Sequence, residues 1–271
     1  MPSEGLAGPG RAERERERLS RPREYLCLYL GLGFLGLECL VWLPFAALLH
    51  LLLPAAIGQR VGRRVIRFGF ALYLRWLSLL GACRFDVSAL DGLADEGPLI
   101  IAPNHPCLLD AVMVIACLPN VACIMKAGLM NNIFLGAAAR LAGYIRNEPT
   151  LAMVLSSVTE LEKGGQLLLF PEGTRTVNDP INPCLPSAAI ISGRSGVPIQ
   201  TVLIETDSAY LAKGWPLFRR PDMPIRYRLR LGERFAPDTD HEALTHRLET
   251  YLAGAMRASD MKPPAAPASQ A

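Results

Sequence analysis

Tyr25–Ile57 is the stretch that most constrains this chain: 33 residues in which only Glu38 and His50 interrupt an apolar run. A straight membrane span needs about 20 apolar residues, so the run is long for one span and short for two. Pro44 falls inside it, and Gly31, Gly33 and Gly36 loosen its first half. Arginines flank both ends: Arg18, Arg21 and Arg23 before it, then Arg60, Arg63, Arg64 and Arg67 after it. Basic residues on both sides do not orient a single span. A hairpin dipping into one leaflet, with both ends on the cytoplasmic face, satisfies them. The run also exceeds the ~7–15 apolar residues of a cleaved signal. A mean hydropathy of +0.23 points the same way. The expectation is a protein of the inner, cytoplasmic membrane, with Glu38 either a polar site in the apolar layer or part of the hairpin's turn.

Around this run the chain divides into four parts. Residues 1–24 are polar, with alternating Arg and Glu from Arg11 to Arg18, and are expected to be disordered. Residues 25–82 form the membrane-associated helical segment. Its end, Val65–Leu80, is an aromatic-rich helix suited equally to a membrane interface and to packing on a core. Residues 83–257 are an α/β domain. Residues 258–271, rich in Pro and Ala, are expected to be a disordered tail.

In the α/β part, short apolar runs alternate with helical patterns. Strands are expected at Arg84–Val87, Leu99–Ala102, Val121–Met125, Gln166–Phe170 and Val197–Ile204, and helices at Leu108–Cys117, Asn132–Ala142, Leu151–Glu162 and Ser187–Ser195. That alternation predicts a mostly parallel sheet flanked by helices, with its sites at the carboxyl ends of the strands. Ile225, Tyr227, Leu229 and Leu231 alternate with Arg226, Arg228 and Arg230, the pattern of an edge strand with a solvated arginine face. A capping box at Thr239–Glu242 opens a helix reaching about Met256, in which His241 and His246 are plain surface residues.

A net charge of +3 and a pI near 8.5 give no reason to invoke nucleic acid. The seven cysteines are scattered, with no CxxC pair, so neither a zinc pattern nor a disulfide framework is visible.

The chemistry gathers in two stretches. In Asn104-His105-Pro106-Cys107-Leu108-Leu109-Asp110, His105 lies at a strand-to-helix turn and Asp110 near the first turns of the helix. A general-base histidine needs a carboxylate to fix its tautomer and one ring nitrogen free for substrate. Five residues across a turn can return Asp110 to His105. The plain alternative is that Asn104 caps the helix and His105 is incidental. Phe170-Pro171-Glu172-Gly173-Thr174-Arg175 is the second stretch. There Pro171 ends strand pairing, Gly173 allows close backbone approach, and Arg175 offers a fork suited to phosphate. Glu172 is placed to orient that arginine or bind an acceptor hydroxyl, and Lys126 stands at another strand end.

His-x4-Asp followed some sixty residues later by Phe-Pro-Glu-Gly-Thr-Arg resembles the membrane-associated glycerolipid acyltransferases of the 1-acylglycerol-3-phosphate acyltransferase type, over about residues 85–205. The resemblance implies catalysis by His105 and Asp110 without an acyl-enzyme. It implies acceptor binding by Arg146, Glu172, Gly173, Thr174 and Arg175, and Lys126, from its own strand end, is placed to add a second positive charge to the same pocket. It also implies an acyl-CoA or acyl-carrier-protein thioester as co-substrate, with no cofactor or metal, and membrane lipids as partners in phospholipid biosynthesis. Cys107 opens a Cys/His nucleophile reading, set aside because the family commonly carries a small polar residue there. Backbone N–H groups at the start of the Leu108 helix are the candidate oxyanion donors. The chain departs from the family pattern in the short Gly143-to-Arg146 spacing and in Ile145. That departure keeps open a specialised acceptor, such as an aminolipid or a polyene lipid. A noncatalytic lipid-binding protein is the other alternative.

Overall fold

The computed structural model describes residues 11–148 and 151–261. Its first element is one helix, α1, over Arg11–Leu52, followed after Leu53–Pro54 by α2 over Ala55–Leu79. Pro54 has no N–H to continue α1, and its carbonyl accepts from Ile57 and Gly58 at 2.9 Å each to start α2. The hairpin's turn is therefore at Pro54, and its second arm is α2. Pro44 does not turn the chain, because it is accommodated within α1; the run 25–57 therefore supplies one arm and the turn, and the other arm lies beyond it. Residues 11–24, expected to be disordered, extend the same helix; adding turns to a nucleated helix costs little. Residues 1–10 and 262–271 lie outside the described residues.

The two arms touch closely. A Cβ on Gly31 would lie 2.9 Å from Leu77, Trp76 stacks on Phe34 at 5.1 Å, and Trp76 Nε1 donates to the Leu30 carbonyl at 3.2 Å. Of the two readings of Val65–Leu80, core packing holds for one face of α2, and the other face is exposed. Tyr73, Leu74 and Leu77 are buried against the domain, while Phe68, Leu72 and Leu79 stay exposed.

Seven strands form the sheet: β1 (Cys83–Asp86), β2 (Leu99–Pro103), β3 (Val121–Lys126), β4 (Ile145–Asn147), β5 (Gln166–Leu168), β6 (Ile199–Thr206) and β7 (Ile225–Phe235). Their order is β1-β7-β6-β2-β5-β3-β4, and every neighbouring pair is parallel except β6 with β7. The strands are joined by α3 (Leu109–Cys117), α4 (Ala127–Met130), α5 (Gly136–Leu141), α6 (Leu151–Glu162) and α7 (Ser187–Ser195), and α8 (His241–Arg257) follows β7. Alternating side chains feed two cores, as strand geometry requires. Ile101 packs with Met113, Val114, Leu77 and Tyr227, whereas Ile100 packs with Leu167, Ile191, Leu244 and Leu248 on the other face.

Three expectations need correction. The helix expected over Asn132–Ala142 begins at Gly136, because the Asn132 side chain accepts from Phe134 and Leu135 N–H and holds a turn there. The arginine-bearing β7 is an interior strand between β1 and β6, not an edge. Its arginines are not a merely solvated face: Arg228 and Arg230 reach Glu205 on β6 at 2.7 and 2.6 Å, and Arg226 reaches Asp207 at 2.7 Å. Glu205 is fully buried, and such a charge needs these partners. Arg63 likewise faces inward, donating to Glu160 at 2.5 Å, Asn120 at 2.9 Å and the Ala142 carbonyl at 3.0 Å. It ties α2 to α6. The last helix opens as expected near 240, with Asp240 as the cap accepting from Ala243 N–H at 2.9 Å.

Candidate active site

β2, β5, β3, β4 and β6 run in one direction, so their carboxyl ends share one edge of the sheet. His105 follows β2 and Glu172 follows the neighbouring β5, which brings two stretches 67 residues apart in sequence into contact. His105 Nδ1 lies 2.8 Å from Asp110 Oδ2. The Asp110 side chain has no exposure, and that of His105 has 16%. With Nδ1 donating to the carboxylate, Nε2 is the proton acceptor, and it makes no hydrogen bond among the described residues.

Asp110 is held from behind by Cys107. The Cys107 N–H donates to Oδ2 at 2.7 Å and its thiol to Oδ1 at 3.1 Å. Burial first, and then the Asp110 charge, push this thiol well above its ordinary pKa. It stays protonated and acts as a donor, which removes the nucleophile reading. Asn104 does not cap α3, whose N-cap is Leu108 without a side-chain bond. Its amide instead pairs with Ile204 on β6, accepting at 2.7 Å and donating at 3.0 Å, and pins the turn to the next strand.

Phe170–Gly173 closes as a β-turn, with Gly173 N–H donating to the Phe170 carbonyl at 3.0 Å. Gly173 is required by its own geometry: φ is +65°, and a Cβ would meet Leu185 at 2.5 Å. Glu172 is buried, and its oxygens accept from His105 N–H at 2.9 Å, Asn182 N–H at 2.8 Å and the Thr176 hydroxyl at 2.8 and 2.9 Å. Burial raises its pKa, an effect opposed by these donors. Glu172 is thus the brace that holds the His105 backbone. A second strut joins Thr176 N–H to the His105 carbonyl at 2.7 Å.

Arg175 Nη1 donates to the carbonyls of Leu211 and Ala212 at 2.8 and 2.9 Å, so part of the guanidinium is committed to the loop after β6. Thr174, beside it, is half-buried. Lys126 is exposed at the end of β3, two strands from β2, or about 10 Å at the usual strand spacing. Arg146 is exposed on β4, bonded to Glu148 at 3.1 Å and Asn131 at 2.8 Å. The structure therefore brings His105, Asp110 and Glu172 together, with Thr174 and Arg175 following on the Glu172 turn. Lys126 and Arg146 stand farther along the same edge. The expected oxyanion donors at the start of α3 are partly spent, because Cys107 N–H goes to Asp110 and Leu108 N–H to the Leu211 carbonyl.

Phe170 was not foreseen as part of the site: its ring stacks on the His105 imidazole at 3.9 Å and 20°. The only sequence signal was its place directly before Pro171-Glu172. Thr176 and Asn182 were missed too, since hydrogen-bonding to a buried carboxylate leaves no pattern in a loop sequence.

Residues 84–205 match the family model described as acyltransferase. The chloroplastic 1-acyl-sn-glycerol-3-phosphate acyltransferase BAT2 of Brassica napus is 25% identical over 134 residues, covering 47% of this chain and 39% of that protein. The chain thus spans about two-fifths of the length of this curated relative. In fold, the crystal structure of the 1-acyl-sn-glycerophosphate (LPA) acyltransferase PlsC from Thermotoga maritima superposes with a TM-score of 0.64 at 18% identity, over 87% of this chain and 96% of that one. The His105–Asp110 pair and the braced Glu172 turn lie inside the span that matches the acyltransferase model, and the chain is similar to the glycerolipid acyltransferases of the 1-acylglycerol-3-phosphate type.

Proposed function

We propose that this chain is a membrane-bound O-acyltransferase. It moves a fatty acyl group from a thioester, acyl-CoA or acyl-carrier protein, to the free hydroxyl of a lysophospholipid of the 1-acylglycerol-3-phosphate kind. The observation that carries the reading is the 2.8 Å contact of His105 Nδ1 with a fully buried Asp110, which leaves Nε2 open at the carboxyl edge.

In the proposed reaction, His105 Nε2 takes the acceptor hydroxyl proton as that oxygen attacks the thioester carbonyl. The imidazolium formed is stabilised by Asp110. As the tetrahedral intermediate collapses, the C–S bond breaks and the leaving thiolate takes the proton from Nε2. The ester product, the free thiol and neutral His105 balance the step, and no bond to the protein forms. Lys126, Arg146 and the uncommitted N–H groups of Arg175 are the cations available to an acceptor phosphate on this edge. The chemistry proposed for these residues needs no cofactor.

The membrane reading rests on α1. Arg21–Leu52 is long and apolar enough to cross a bilayer by length and composition. However, Cys27 and Leu28 pack with Leu77, Ala82 and Tyr210, while Ala46 packs with Ala137 and Leu141 of α5. Cys27 and Ala46 are about 28 Å apart along a helix, close to the ~30 Å hydrocarbon thickness. A helix seated on the same domain at both points lies along that domain, which favours the reading in which α1 lies in one leaflet with the exposed Leu26, Leu30, Leu37, Val41, Leu48 and Leu52 toward lipid.

The test offers labelled acyl-CoA and acyl-carrier protein to the purified protein with a panel of lysolipids, beside His105→Ala. A diacyl product on lysophosphatidate, absent in the variant, is the expected result. Thioester consumed by the wild type only, with no product on any phosphate-bearing acceptor, would overturn the acceptor assignment. A product on a phosphate-free lipid of the panel would then point to a specialised acceptor, in line with the short Gly143-to-Arg146 spacing, and release of free fatty acid alone would point to hydrolysis.

A further inference from the structure

We propose that two apolar loop tips on the catalytic edge, Pro216–Arg219 and Leu129–Phe134, are a second bilayer-contacting surface that seats the His105 opening on the membrane. This surface is separate from the α1–α2 hairpin, and it rests on the lipid-acceptor reading only for its functional consequence.

Topology places both tips. The segment 207–224 leaves the carboxyl end of β6 and the segment 127–135 leaves the carboxyl end of β3. Both strands share their carboxyl edge with β2, which delivers His105. The two tips therefore flank the opening on the same side of the sheet. Leu108, three residues from His105, is itself 47% exposed there.

Each tip shows large apolar side chains that solvent alone does not favour. Phe218 is 62% exposed beside Leu217, and Ile133 is 71% exposed beside Phe134 and Leu129. These are not loose loops. Arg219 N–H closes a turn on the Pro216 carbonyl at 2.9 Å, Trp215 Nε1 donates to the Arg219 carbonyl at 3.0 Å, and the Arg219 guanidinium sits 4.7 Å over the Trp215 ring. The other tip is held by Asn132 and by Arg140 Nη1 donating to the Met130 carbonyl at 3.0 Å. A rigid turn that holds a phenylalanine outward loses little entropy when that ring enters an apolar phase.

Continuity with α1 identifies the occupant as the bilayer. Phe218 stacks on Tyr29 of α1 at 6.2 Å, and Tyr29 stacks on Tyr25, both exposed on the lipid-facing helix. Arg220 pairs with Glu24 of α1. At its other end α1 packs on α5, which directly follows Phe134 and Leu135. The helix and the two tips thus present a continuous apolar front, with Arg219, Lys213, Lys126 and Arg146 exposed around it. Aromatic rings bordered by cations suit the headgroup boundary of an anionic leaflet.

The loop after β6 also reaches the site. Its Leu211 and Ala212 carbonyls hold Arg175, and Leu211 receives Leu108 N–H. Docking the tip on lipid therefore steadies the backbone that borders His105.

The test uses the full chain with Trp42→Phe and Trp76→Phe, which leaves Trp215 as the one tryptophan of three. It is bound to vesicles of phosphatidylcholine and phosphatidylglycerol carrying bromine on the acyl chains. The expected result is bromine quenching of Trp215 and a several-fold loss of acrylamide access relative to the protein in detergent-free solution with soluble lipid analogues. Vesicle-bound protein in which Trp215 keeps full acrylamide access and shows no bromine quenching would overturn the proposal and leave the tip to a protein partner. In parallel, Leu217→Asp/Phe218→Asp and Ile133→Asp/Phe134→Asp should still float with vesicles through α1. Their turnover of long-chain lysolipid in vesicles should drop at least tenfold, while turnover of a short-chain, water-soluble lysolipid holds at wild-type level. Equal turnover in both assays for both variants would also overturn it. Wild-type failure on every lysolipid, with the quenching intact, would instead be a failure of the acceptor assignment alone.

Discussion

At the residue scale, the catalysis we propose depends on a carboxylate locked behind a histidine. Asp110→Asn should leave the fold in place and lower kcat by ~10²–10⁴-fold, because the imidazole loses the anion that fixes its tautomer. Steady-state kinetics with thermal melting separates that loss from unfolding. Cys107→Ser keeps a donor to Asp110 Oδ1 and is expected to retain most activity. Cys107→Ala strips that oxygen of its side-chain donor and should cost about 1–3 kcal/mol of stability with a matching fall in kcat. Glu172→Gln tests the brace directly. It turns one accepting oxygen into a donor facing Asn182 N–H, His105 N–H or the Thr176 hydroxyl. The expected outcome is a lower kcat with little change in acceptor KM, whereas a pure KM effect would return Glu172 to acceptor binding.

At the element scale, the hairpin is fastened to the domain by polar as well as apolar contacts. Arg63 and Glu160 are 5% and 8% exposed. Arg63→Ala leaves a buried carboxylate without its cation, and a loss of ~3–5 kcal/mol is expected in denaturant unfolding. Gly62 lies one residue before it, and a Cβ there would sit 2.7 Å from the Ala142 amide. Gly62→Ala should therefore push α2 off the end of α5, costing about 1–3 kcal/mol by overpacking. Both effects show why α2 cannot be read as a free interfacial helix: one face is committed to the core, and only the other can meet lipid.

At the scale of the whole molecule, β6 and β7 join the two halves of the sheet through Glu205. Burial pushes this carboxyl up, but hydrogen bonds from Arg230, Ser259 and Arg228 pull harder and hold it at about 2, below its ordinary 4.5. A depressed folded pKa gives stability that is fully present above the unfolded value and lost as pH falls through the folded one. The difference in melting temperature between wild type and Glu205→Gln is therefore expected to be largest above pH 4.5 and to shrink toward pH 2. A constant difference across that range would remove Glu205 from the acid response.

Much of the α/β domain was legible because its strands are buried runs and its helices periodic: α6 and α7 lie where their spacing puts them, and β1, β2 and β3 within two residues. The pairing of His105 with Asp110 was legible too, because five residues across a turn confine both to one neighbourhood. Long-range partners were not. Glu172 was read as facing Arg175 or substrate, yet it braces His105 because β2 and β5 are neighbours, and adjacency in a sheet leaves no trace in either strand's own sequence. Arg228 and Arg230 were read as a solvated edge because alternation specifies faces and not neighbours, and only the antiparallel register sets them against Glu205. Local chemistry, which depends on residues a few positions apart, was determined by the sequence itself. Which strand lies beside which, and so which polar groups are buried together, was decided by the tertiary structure, where hydrophobic burial selects the packing and buried charges must then find partners within it.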